Sequence, residues 1–324
     1  MNETMLLLAL LAAATARGAT PLVLAALGGL FAERSGVVDI GLEGKMLASA
    51  FAAAATAAVS GSAWVGLGAG IAASVLVGLV HGMACVTYQG SQVVSGMALN
   101  ITLSGLTAVL SYAWFREGAQ TPLLGSGARF APIELPGAAA LASVPGLGVI
   151  YGEVVSGHNL LVYVAAASVP LVAWLVYRTR FGLRLRAVGE NPGAVDTAGV
   201  SVAATRYRAL VVSGILCGLS GAYLSIAQHA SFIRDMSAGK GYLALAALIF
   251  GQWRPVPAVG ACVIFAFADA VQVRLQGTPL PVVGVVPVQL IQAIPYLLTV
   301  ALLAGFVGRA VAPRAIGIPY VKER

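Results

Sequence analysis

Few side chains in this 324-residue chain are placed for bond-making chemistry. His81, His158 and His229 stand far apart in the sequence and carry no metal-ligand spacing. Cys85, Cys217 and Cys262 all lie inside apolar runs and read as small buried hydrophobes. No Ser/His or paired-acid constellation stands at helical spacing, so neither a catalytic residue nor a metal site is assigned and an enzyme is not the expected class. The remaining polar chemistry is recognition, by hydrogen bonds, ion pairs and docking, and it collects in four places.

The first is Glu33, Arg34, Asp39, Glu43 and Lys45, five charges in thirteen residues beside apolar runs. Gly36, Gly41 and Gly44 are expected to break any helix there. Two readings stand: a connection whose acids cap the helix starting near Lys45, or a re-entrant turn held by internal ion pairs such as Glu33 with Lys45. In hydrocarbon each charge would cost about 3 kcal/mol, so the segment needs a protein environment. The second place is Gln92, Ser95 and Asn100, with Thr102 and Ser104 beyond them. The first three fall near one helical face. Amides and hydroxyls so placed either line a passage for a hydroxyl-rich or heterocyclic solute or join helices together.

The third is Asp269, followed on the same face by Gln272 and Gln276. An acid inside an apolar span is a functional candidate whose partner must be found. Arg274 lies about 140° around the helix from it at 100° per residue and is a poor mate. A lining role, an internal partner and one across a subunit boundary all stay open. The fourth is RTRFGLRLRAVGENPGAVDTAGVSVAATRYR, Arg178–Arg208, with six arginines and two acids. Within it Asn191 suits a helix cap, Pro192 a first turn and Gly199 the position past the end, predicting a two-turn helix over Pro192–Ala198. Arg184 and Arg186 precede that helix, Glu190 adjoins it, and Asp196 faces solvent or a partner.

The elements that must position these groups are membrane spans. The chain is 59% hydrophobic and 10% charged, with a mean hydropathy of +0.90. Soluble domains carry about 25% charged residues, so this is a polytopic membrane protein. Apolar spans are expected at Met46–Ser60, Trp64–Tyr88, Val93–Phe115, Leu160–Tyr177, Tyr207–Ala227, Val256–Val273 and Val288–Phe306. The N-terminal run resembles a secretory signal but lacks a basic start, and reads as a first membrane segment. Interrupted by Arg17, Gly18 and Pro21, residues 4–32 read as two short helices or one broken one. Trp64, Trp114, Trp174 and Trp253 near span ends fit interfacial placement. Gly66-x-x-x-Gly70, Gly78-x-x-x-Gly82 and Gly214-x-x-x-Gly218 fit close helix packing.

The net charge of +7 belongs to span ends and not to nucleic-acid binding. By the positive-inside rule, 178–208 and the tail with Arg309, Arg314, Lys322 and Arg324 are cytoplasmic. An even number of crossings must then join them, so Ser237–Trp253 must supply one as a short helix plus extended backbone. Residues 116–159 fall outside as an extracytoplasmic loop, with the apolar patch Ala138–Leu147 at the interface or over the pore mouth. The expected fold class is an all-α polytopic membrane protein, one transmembrane domain over 1–324, with about 8–10 spans and broken or re-entrant segments.

Four stretches, in order, carry a family resemblance: ERSGVVDIGLEGKMLASAF at Glu33–Phe51, QVVSGMALN at Gln92–Asn100, RFGLRLRAVGENPGAVDTAGV at Arg180–Val200, and SAGKGYLALAALIFGQWRP at Ser237–Pro255. Together they resemble permease subunits of ABC importers in the nucleoside/simple-sugar (ribose-type) branch. The family usually has Asn where Asp39 stands. The resemblance implies a type II-like ABC importer permease in a bacterial-type inner membrane. It implies a second permease, a paralogue in this branch, a separate ABC ATP-binding protein and an extracytoplasmic solute-binding protein or lipoprotein. It also implies that Glu190–Gly199 is a coupling helix seated in a cleft of the ATPase, and that nucleosides or related simple sugars are carried. The chain has no G-x-x-x-x-G-K-[ST] phosphate loop, so ATP and Mg are expected on the partner and no cofactor on this chain. The alternative class is an ion-coupled secondary transporter of a small polar solute, with Asp269 as its coupling acid.

Overall fold

The computed structural model describes residues 3–136, 147–276 and 311–322, with positions 293 and 297. Apart from positions 293 and 297, the expected span Val288–Phe306 lies outside these, as do Arg309, Arg324 and all but the last residue of the Ala138–Leu147 patch. Among the described residues, seven helices are long and apolar enough to cross a membrane. They are α1 (Glu3–Arg34), α2 (Leu42–Ser60), α3 (Ala63–Gly82), α4 (Gln92–Phe115), α5 (Leu160–Arg178), α8 (Val202–Tyr223) and α10 (Pro255–Leu275). Between α5 and α8 stand two short helices, α6 (Arg180–Glu190) and α7 (Pro192–Thr197), and before α10 stands α9 (Lys240–Phe250). The described β structure is slight: Pro132–Ile133 pairs antiparallel with His158–Asn159.

The N-terminal segment is neither two helices nor a broken one. It is a single 32-residue helix with Pro21 inside it. Proline has no N–H, so the carbonyl four residues earlier, that of Arg17, loses its in-helix donor. The buried Tyr223 hydroxyl donates to that carbonyl at 3.0 Å, and Ser220 Oγ donates to Pro21 O at 2.7 Å. Both donors come from α8, so the break expected from sequence is repaired by a neighbouring helix.

The centre is formed by α1, α2 and α8, which pack so closely that side chains larger than hydrogen do not fit at several positions. A Cβ on Gly214 or Gly218 would lie 2.7 Å from the Cα of Val75 or Ile71 on α3. These are the small-residue contacts that membrane helices use in place of a hydrophobic drive. Gly66 and Gly70 play the same part toward Ala53 and Ser49 of α2.

Two non-helical stretches enter the bundle. Ser35–Gly41 joins α1 to α2, and His229–Gly239 joins the end of α8 to α9. The second begins at the far end of the molecule, where Leu124 N donates to Ala230 O at 2.7 Å and Thr121 N to Phe232 O at 3.0 Å. It then descends until Asp235 accepts from Ser104 Oγ at 2.6 Å. Ser104 lies about 18 Å along α4 from its start at 1.5 Å per residue. The eleven residues of α9 then continue toward Arg34, whose Nε donates to Trp253 O at 2.8 Å. The stretch 229–253 therefore has the short-helix-plus-irregular-backbone form expected for its second half.

Candidate functional site

The polar residues form two connected assemblies: a buried network around Ser35–Gly44, and the α6–α7 elbow that covers one end of the bundle.

In the network, Asp39 and Lys45 are both fully buried, and Lys45 Nζ lies 2.5 Å from Asp39 Oδ2. Ser213 Oγ, from α8, donates to the same carboxylate oxygen at 3.0 Å. Asp39 is thus the partner of Lys45, which corrects the expected Glu33–Lys45 pair. Glu33 Oε2 instead accepts from the Trp253 indole. Glu43 does not cap the helix it belongs to. Its two oxygens accept from Gly239 N at 2.8 Å and Gly241 N at 2.6 Å, placing a carboxylate on the first turn of α9, where backbone N–H groups are left over and negative charge is favoured. Gly44 lies inside α2 and does not break it. A Cβ there would meet Asn100 Oδ1 at 2.9 Å, so this glycine serves close approach.

From α4, Gln92 Oε1 accepts from Val38 N at 2.6 Å. Asn100 Oδ1 accepts from Gly44 N at 2.8 Å, while its Nδ2 donates to Ile40 O and Tyr242 OH, both at 2.9 Å. Ser95 Oγ meets His81 Nδ1 at 3.0 Å, and His81 Nε2 meets Val38 O at 3.0 Å. The helical face read from sequence is real, and it grips the Val38–Gly44 backbone. His81, isolated in sequence, is buried at the centre of this grip. Ser213 and His81 were beyond sequence reading, because each meets the network only through the fold.

Asp269 and Gln272 are not part of this network. They line a separate cavity of about 660 Å³ with Arg17, His158, Tyr223 and Lys240. Sequence reasoning also missed Arg234 and Asp235. Their side chains are 65% and 52% exposed, pair at 3.3 Å, and stand level with Ser104 halfway along α4.

The elbow is built by local rules. Thr179 Oγ1 accepts from Gly182 N at 3.1 Å and starts α6, while Leu185 and Val188 bury its inner face. Helix α6 was not expected. The cap at Thr179 and the spacing of Leu185 and Val188 were its signal, obscured by the arginines. Arg184 is exposed, and the Arg186 guanidinium lies 5.4 Å from the Tyr177 ring centre. Helix α7 has the expected form: Asn191 Oδ1 accepts from Ala194 N at 3.1 Å, Pro192 opens the first turn, and Gly199 follows with φ +78°. Val195 is its buried anchor, in a cluster with Val188 and Val202. Glu190 and Asn191 are exposed, and Asp196 lies 3.4 Å from Lys322 of the tail.

The family described as the branched-chain amino acid transport system permease component matches residues 11–303. The guanosine ABC transporter permease protein NupQ of Bacillus subtilis is 37% identical, with 98% of each chain covered. The nucleoside ABC transporter permease protein NupC of Lactococcus lactis subsp. cremoris is 35% identical, with 94% of each covered. The putative glucose ABC transporter permease protein TsgC13 of Haloferax volcanii is 35% identical over 90% of this chain and 89% of its own. No solved structure matches. All three relatives are named as ABC permeases, so the resemblance read from the four motifs holds and the secondary-transporter reading gains no support. With its seven apolar helices and a match across most of its length, the chain belongs to the family of branched-chain amino acid transport system permease components and is a multi-pass membrane permease subunit.

Proposed function

We propose that this chain forms the passage of an ATP-driven nucleoside importer and takes its motion from a separate ABC ATP-binding protein, which holds the ATP and Mg. The observation that carries the reading is α7. It is a capped helix outside the spans, with Glu190 and Asn191 presented on the surface and Val195 anchored inward. Positive-inside bias makes its end of the molecule cytoplasmic, and the tail with it. Arg184, Arg186, Glu190, Asn191, Pro192, Asp196 and Gly199 then form the ATPase-coupling surface.

The substrate follows the relatives that match end to end. Two are named for guanosine or nucleosides and one for glucose, so nucleosides stand first and related simple sugars second. The passage runs along α4 and His229–Tyr242. Charged and hydroxyl groups there are uncovered at a depth where lipid would penalise them. A second permease, a paralogue, closes that side, and a solute-binding lipoprotein delivers substrate at the opposite end.

The test is uptake in vesicles carrying the chain with an ABC ATP-binding protein, a second permease and a solute-binding protein from the same source. Labelled guanosine is expected to accumulate only with hydrolysable ATP inside the ATPase compartment. Accumulation by this chain alone on a proton or sodium gradient would overturn the reading.

A further inference from the structure

The tail, residues 311–322, crosses the end of the molecule where α6, α7, α8 and Ser35–Gly36 meet. Ala315 N donates to Gly189 O, the last turn of α6, at 2.8 Å. Two residues on, Gly317 N donates to Gly36 O at 3.1 Å. The buried Arg206 guanidinium of α8 joins the same elements, with Nε on Ser35 O at 3.2 Å and Nη2 on Ile318 O at 3.3 Å. Tyr320 packs on the Val188–Val195–Val202 cluster, and Lys322 reaches Asp196 on α7. One strip of chain thus touches both short helices at one side and the entry to the buried Asp39–Lys45 segment at the other.

We propose that the tail is a positioning strap that makes α7 and Ser35–Gly36 move as one body, so that displacement of α7 reaches the interior segment. The inference rests on the importer reading above and assigns work to residues outside the coupling surface. Without the strap, α7 remains joined to the bundle through Asn191 and α6, whose Gly189 lies against the Arg34 carbonyl, and through Val200–Ser201. Val195 still anchors it through Val202 of α8, and Arg206 still holds Ser35, but the direct hydrogen bonds from the tail to Gly189 and Gly36 are gone. A buried guanidinium whose partners are carbonyls of both the tail and Ser35 binds the two ends of the path together. The coupling is carried by a contiguous set of contacts with a mechanical reason for each.

The experiment uses the complete importer with Tyr320→Ala and Lys322→Ala combined. The ATP-binding protein is expected to co-purify at the wild-type ratio and to hydrolyse ATP at its basal rate, while guanosine uptake per ATP falls about tenfold. The conservative pair Tyr320→Phe with Lys322→Arg keeps the packing and the charge, and is expected to retain wild-type uptake per ATP. Unchanged uptake per ATP in the alanine variant would overturn the strap. Loss of co-purification would overturn it too, since the tail would then belong to the docking surface itself. Loss of uptake in the conservative pair counts equally against it. If wild-type uptake proves independent of ATP hydrolysis, the importer reading fails, and that is visible before any variant is made.

Discussion

The hydroxyl of Tyr223 serves the carbonyl of Arg17, across 206 residues of sequence, because Pro21 cannot. The contact supplies the donor that α1 lacks at its proline, beside the one from Ser220 to Pro21 O. Tyr223→Phe takes the protein donor from that carbonyl, at a cost of about 1–3 kcal/mol. Restoring the in-helix donor with Pro21→Ala in the same chain is expected to recover most of the loss. Thermal unfolding in detergent, run as a double-mutant cycle, measures both steps.

The Asp39–Lys45 pair gives a second prediction. Removing one partner of a buried pair strands the other, typically at about 3–5 kcal/mol, while removing both is far milder. Asp39→Asn and Lys45→Met are each expected to destabilise the chain more than the two together. A double variant less stable than either single one would contradict this account. Unfolding midpoints and yield of folded protein in detergent are the measurements.

Glu43 gives a third. Its carboxylate satisfies two N–H groups at the start of α9, and Glu43→Ala leaves both open. Amide exchange in the first turn of α9 is expected to accelerate on the order of tenfold or more, following the roughly 1–3 kcal/mol cost of an unmet buried donor. Glu43→Gln keeps one acceptor and should fall between. Equal exchange in all three chains would show that the turn is held by something else.

At the elbow, Asn191→Ala removes the cap of α7 at a cost of about 1 kcal/mol, and Pro192→Gly loosens its first turn. Both variants are expected to insert normally, since they lie outside every span, and to bind the ATP-binding protein more weakly. Co-purification ratios against membrane yield separate the two effects.

The parts of this molecule legible in sequence obey near-neighbour rules. Asn191, Pro192 and Gly199 announce α7 because capping is chemistry within a few residues. Gly214 and Gly218 announce a close helix contact because four residues return to the same face. The misread parts depend on distant chain. Residues 4–32 look broken until Tyr223 is known to stand beside Arg17. Lys45 has Glu33 and Asp39 both within reach along the sequence, and only the inward path of Ser35–Gly41 selects Asp39. His81 acquires its role from Val38 and Ser95. Gln92, Ser95 and Asn100 were correctly put on one face, but the occupant of that face, a strand of backbone, has no signature in their own spacing.

The half-exposed Arg234–Asp235 pair carries a consequence for the life of the chain before assembly. Set level with the middle of α4, these charges would meet acyl chains in a bilayer holding this subunit alone, at about 3 kcal/mol each. On the proposed assembly, a subunit alone in the bilayer is therefore the least stable form of the chain, because only a partner on that side takes these two charges away from lipid.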